Sequence, residues 1–138
     1  MNMLVREIRF PITDGVIVSA LKAGLLARGW AATGLTVQPK LPATKTRRMV
    51  TVRNDGGLQD GAVQGRGYGI NVWADTSVDA ENLALDCMAI LRGIPSAVIP
   101  ATSEFSGPFQ VEDDPEYVVA SKNLTHYYFS FTATVRGS

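Results

Sequence analysis

Cysteine is nearly missing from this chain. A single residue, Cys87, stands among 138, which leaves no intrachain disulfide to staple the fold and fits a reducing compartment. Histidine is equally scarce: with His126 alone, no histidine dyad is available for acid–base work. Net charge is missing too. Thirteen Lys and Arg balance thirteen Asp and Glu, so the chain lacks the global field of a nonspecific DNA binder, and a nucleic-acid role would need a local patch. Long apolar runs are absent. The stretch 16–27 contains Lys22 and is too short for a bilayer, and the first ten residues carry charges where a signal peptide needs an apolar core. Neither secretion nor a membrane is expected, and no low-complexity tract predicts disorder.

What remains is a length that suits one domain, 1–138, with a core of real size. Its best-specified stretch runs from Arg66 to Ile94. Tyr68, Ile70 and Val72 alternate with Gly69, Asn71 and Trp73, the period of a half-buried strand. Asp75, Thr76 and Ser77 then offer side-chain oxygens to cap a helix, with Asp79 and Glu81 on its first turn. Ala80, Leu83, Ala84, Cys87, Ile90 and Leu91 form one apolar stripe, and Gly93 is expected to end the helix in the left-handed conformation before Pro95. Strand, corner and helix follow in one continuous piece.

Upstream, residues 1–11 read as an arm. Thr13 and Asp14 can cap a first helix whose inner face is Ile17, Ala20, Leu21, Gly24 and Leu25, with Gly29 as its end and Trp30 folding back as an anchor. A strand is expected to begin at Thr36–Gln38, and a clear one follows at 49–53. Downstream, Tyr127, Phe129, Phe131, Ala133 and Val135 alternate with polar residues in a long strand, 124–136. Ala97–Ile99 is a short strand candidate. The expected fold is α+β: helices near 13–28 and 77–92 on one face of a mixed or antiparallel sheet of strands near 48–53, 66–74, 108–119 and 124–136. Leu83, Cys87, Leu91, Ile70, Val72, Phe129 and Phe131 should share one core.

Chemistry is harder to find. Cys87 lies on the inner helix face and reads as a packed core thiol. His126 falls on the polar side of its strand, most simply a surface residue, with no serine fixed beside it as a nucleophile. Glycines 65, 67 and 69 lie in or before a strand and not at a helix opening, so they cradle no phosphate; they allow a bulge, strong twist or a close neighbour. Glu112, Asp113, Asp114 and Glu116 form an acidic loop without the alternation of a calcium loop. Lys40, Lys45, Arg47 and Arg48 make a basic loop with no aromatic residues interleaved. Asn54-Asp55-Gly56-Gly57 is a turn signal opening a long polar loop to about Gly65, more than a hairpin needs, which points to a partner contact.

The order of these features resembles a known family. An arm with Arg9-Phe10-Pro11 leads to a helix, a basic loop and a strand ending Val52-Arg53-Asn54-Asp55-Gly56-Gly57. Ile70-Asn71-Val72-Trp73-Ala74 then runs into the helix around 80–91, and the aromatic strand 126–135 closes the chain. Over nearly its whole length this is similar to the tail-terminator proteins of long-tailed bacteriophages, which join tail to head. The resemblance implies a homohexameric ring that stops tail-tube polymerisation. Its partners would be itself, the tail tube protein and a head-completion (stopper) protein, with DNA only passing through the lumen. It implies assembly in the host cytoplasm, a place in the virion, no catalytic residue, no cofactor and no metal.

A ring contact is head-to-tail and joins two different patches. The basic set Lys45, Arg47, Arg48 and Arg66 is expected to meet the acidic set Glu112, Asp113 and Asp114 of a neighbour, while Asn54, Asp55, Gly56 and Gly57 serve as a partner-contact loop. Three other readings compete: a neighbouring connector or minor tail protein, an enzyme, and a small nucleic-acid-binding module. The last would use Arg47, Arg48, Arg53 and Arg66 with Trp73 or Tyr68.

Overall fold

Backbone pairing around one central strand builds the structure. The computed structural model describes residues 14–42, 46–60, 63–93, 110–111, 114–121 and 124–136. The arm at 1–11, Thr13, Lys45, the candidate strand at 97–99, Pro95, Glu112 and Asp113 lie outside them. Strand β3 (Val63–Ala74) pairs antiparallel with β2 (Arg48–Asp60) on one side and with β6 (Leu124–Arg136) on the other. The short β1 (Leu35–Gln38) joins β2 in parallel, and β4 (Gln110–Val111) and β5 (Glu116–Ser121) both run antiparallel to β6. The sheet is therefore mixed. Helices α1 (Asp14–Ala27) and α2 (Ser77–Gly93) pack on each other and on one face of it, as the α+β expectation held.

Strand alternation decides which residues meet the helices. Ile70 lies opposite Phe129 and Tyr68 opposite Phe131, and Val50 and Val52 lie beside Val72 and Ile70 on the same face. All seven core residues expected from the sequence are buried in one cluster, together with Ile17, Leu21 and Leu25 of α1. Tyr68 and Phe131 stack with ring centroids 5.0 Å apart. Gly24 lets the helices close up: a Cβ there would meet Ile90 side-chain atoms at 2.8 Å. The Ile90 side chain takes that space.

The helix ends follow local chemistry. At the start of α2, Thr76 Oγ1 accepts from the Asp79 amide at 3.1 Å, an N-cap. At the end of α1, Gly29 is left-handed with φ 96°, while the Trp30 amide donates to Leu25 and the Gly29 amide to Leu26. These bonds make a Schellman motif. The end of α2 departs from expectation. Gly93 is its last helical residue, and the left-handed glycines among the described residues are Gly29 and Gly34. A glycine is free to turn left-handed and equally free to stay helical, so its presence alone does not select the cap.

Two strand expectations are corrected. Asn54-Asp55-Gly56-Gly57 is no turn: β2 continues through it to Asp60 and pairs with β3 down to Val63. The long polar loop is the outer half of a hairpin. A register shift between Asn54 and Gly56 absorbs Asp55 as a bulge, and Asp55 is drawn back to Arg53 at 2.6 Å. Once β3 is held by β6 on its far side, ladder bonds outweigh the local turn preference. The strand expected at 108–119 is split into β4 and β5, with the non-strand pair Asp114-Pro115 before β5. Proline has no amide hydrogen to give a ladder.

Leu83 and Phe129 are 0% and 2% exposed. Truncating either to alanine should cost about 2–5 kcal/mol, read as a lower urea midpoint at unchanged slope. A loss under about 1 kcal/mol would mean the site is not tightly packed.

Candidate functional site

Two surfaces of the described residues carry clustered polar and aromatic side chains: the sheet face away from the helices and the outer side of the helix layer. On the sheet face, Trp73 and His126 stack with centroids 4.3 Å apart. His126 Nε2 lies 2.8 Å from the acceptor Asn71 Oδ1, so the imidazole donates there. Arg53 lies 5.9 Å from the Tyr128 ring centroid. Gly69 makes that possible: a Cβ on it would meet the Arg53 guanidinium at 2.9 Å and the Tyr128 hydroxyl at 3.2 Å. The glycine therefore has a side-chain reason within the sheet. His126 is not the plain surface residue its strand position implied. It is half-buried, and burial lowers its pKa from 6.5.

Beside this ladder runs an open groove of about 480 Å³, with Pro39, Lys40 and Leu41 as one wall and Thr51, Arg53, Asn71 and Trp73 among its other lining residues. A second cleft, about 460 Å³, lies between the end of α1 and α2, lined by Arg28, Trp30, Arg48, Asn82 and Asp86. There Asp86 accepts from Trp30 Nε1 at 2.8 Å and from Arg28 at 3.3 Å. Trp30 is the anchor the sequence indicated, and its partner is a carboxylate on the other helix.

Three of the arginines, Arg47, Arg48 and Arg53, pair with carboxylates of the same chain. Arg47 reaches Asp75 at 2.7 Å, and Arg48 reaches Asp79 at 2.9 Å with its guanidinium 5.3 Å from the Trp30 centroid. The Asp75 hydrogen bond and charge raise the Arg47 pKa. Arg53 pairs with Asp55 and rises for the same reason. Arg48 keeps one buried atom, Nε, without a hydrogen-bond partner. These intrachain pairs remove most of the local positive field that a nucleic-acid reading needs. Tyr68, its possible stacking ring, is 0% exposed on the helix side.

Of the expected ring contacts, Arg47 and Asp114 are exposed and Arg48 is half-buried. Lys45, Glu112 and Asp113 lie outside the described residues, as does the Arg66 side chain. Asn54 and Asp55 are exposed strand residues, followed by Gly56 and Gly57 in the same strand. Cys87 is buried, and desolvation pushes its thiol pKa up, away from thiolate chemistry. Among the described residues no group of three His, Cys, Asp or Glu converges as for a metal ion, and no helix is long and apolar enough to cross a membrane.

This is a two-layer α+β fold with its chemistry spread over surfaces. No family model matches the chain, and no curated protein does. Solved structures do share the fold. One is a chain of the virion of a native gene transfer agent (GTA) particle, with a TM-score of 0.57 and 18% identity, the match covering 86% of this chain and 93% of that one.

The His126 environment has a consequence for stability. Because the folded pKa is lowered from 6.5, the unfolded chain takes the proton more readily. Stability is therefore full above the unfolded value and declines as pH falls through it towards the folded pKa. His126→Gln should flatten this segment of a plot of urea midpoint against pH. An unchanged slope would exclude the imidazole as its source.

Proposed function

We propose that this chain is a structural protein of a phage-type virion, a tail terminator. It forms a ring, a homohexamer, that caps the tail tube and joins it to the head connector. The observation that carries the reading is the fold shared over most of both chains with a component of a gene transfer agent virion. The order of motifs from Arg9-Phe10-Pro11 to the closing aromatic strand supports the finer assignment. Such a role needs no catalytic group. A tube end exposes the surface that the next ring would bind, and a cap that matches it on one side only blocks further addition by shape.

Head-to-tail closure asks each subunit for two different complementary patches. Arg47, exposed and paired with Asp75, is free to exchange partners, because a solvated ion pair contributes little. The acidic residues Glu112, Asp113 and Asp114 are its proposed partners in the next subunit. Arg48, enclosed by Asp79 and Trp30, is the less mobile of the two. The outer half of the β2–β3 hairpin, from Asn54 to Gly57 onward, is the proposed contact with the tube or the head-completion protein.

A phage lacking this protein should yield DNA-filled capsids without tails and free tubes longer than normal, seen by electron microscopy of lysates. Tails of normal length joined to heads would refute the assignment. Tails of normal length left unjoined would move the protein to the neighbouring connector. Charge reversal at Asp113 and Asp114 should lower the sedimentation coefficient of the purified ring, and reversal of Arg47 should partly restore it.

A further inference from the structure

The helix layer carries an outward apolar stripe that the fold leaves uncovered. Val78 is 68% exposed and Leu85 45%. They stand seven positions apart on α2, hence on one line of the helix about 10.5 Å apart at ~1.5 Å per residue. Glu81 lies between them and is also exposed. On the opposite side of the molecule the groove beside Trp73 presents the converse features. Leu41 on its wall is 50% exposed and Lys40 is exposed. Thr51 to Asn54 lie along it, a strand length of roughly 10 Å at ~3.4 Å per residue. Among the described residues, neither Lys40 nor Glu81 belongs to an ion pair.

We propose that the Val78–Glu81–Leu85 stripe of one copy docks into the Lys40–Leu41–Trp73 groove of the next. The inference rests on the ring reading and names a contact within it. Three features argue for a second copy of this chain as occupant. The two anchors match the groove in length. The charges are opposite and unpaired. The two patches lie on opposite layers of the same subunit, and such a contact is heterologous: it repeats from copy to copy and gives a ring where its rotation closes. The recognition is that of a helix in a groove, read through anchors one face apart. Trp73, already braced by His126, presents a fixed wall and needs no ordering on binding.

The test is sedimentation velocity of the purified full chain across a concentration series. Leu85→Asp should weaken assembly about tenfold or more, as loss of a central anchor does. Glu81→Lys or Lys40→Glu alone should weaken it a few-fold, and the two together should restore it. All these side chains are exposed, and an unchanged urea midpoint would show that the variants stay folded. If the wild type assembles and Leu85→Asp assembles equally well, this contact is overturned and the ring reading stands. If the two charge variants do not rescue each other, the stated register is overturned. A wild type that stays monomeric at every concentration overturns the ring in isolation and the contact with it. Only a concentration-limited dimer would instead indicate a symmetric pairing and overturn the head-to-tail arrangement.

Discussion

The register of β3 against β6 is the constraint on which the rest depends. With Ile70 opposite Phe129 and Tyr68 opposite Phe131, the apolar side chains of both strands face the helices, and Trp73, Asn71, His126 and Tyr128 face away. A slip of β3 by one residue would turn Trp73 into the core and expose Ile70, while Phe129 and Phe131 stayed inside. Nothing in the hydrogen-bond ladder itself forbids that slip. What forbids it is burial: α2 lays Leu83, Cys87 and Leu91 over one parity only, and α1 adds Ile17, Leu21 and Leu25. Each buried apolar side chain of this size contributes about 1.5–3 kcal/mol over its exposed state.

The same register shapes the face that stays open. Trp73 can stack on His126, and Asn71 can meet the imidazole, because these residues occupy matched or neighbouring rungs. Arg53 can lie towards Tyr128 because the rung between them is Gly69. The outer sheet surface is therefore braced by aromatic stacking and by hydrogen bonds within the sheet. Such a surface holds its shape before a partner arrives, which reduces the ordering that association must offset.

Charge is handled in the same local fashion. Most of the arginines that stand out in the sequence find a carboxylate within their own chain: Arg28 with Asp86, Arg47 with Asp75, Arg48 with Asp79 and Arg53 with Asp55. Two of these pairs tie the start of β2 to the corner and first turn of α2. Among the described residues, Lys40 and Glu81 belong to no ion pair.

Periodicity determined most of the architecture. Both helices, the alternation of β3 and β6 and the seven-residue core were legible because each is a repeat read within one segment. The caps at Thr76 and Gly29 were legible for a similar reason, being set by neighbours a few positions away. Tertiary structure decided what depended on partners distant in sequence. Asn54-Asp55-Gly56-Gly57 carries a turn preference, yet β3 and β6 beside it recruit it into a strand. Gly93 could have taken either hand, and remained helical. The partners of Arg47, Arg48, Trp30 and His126 lie 28 to 56 positions away. The groove by Leu41 exists only where an irregular segment passes across the sheet. A local pattern reports the preference of a segment, whereas salt bridges, stacking and grooves belong to pairs of segments that only the folded chain brings together.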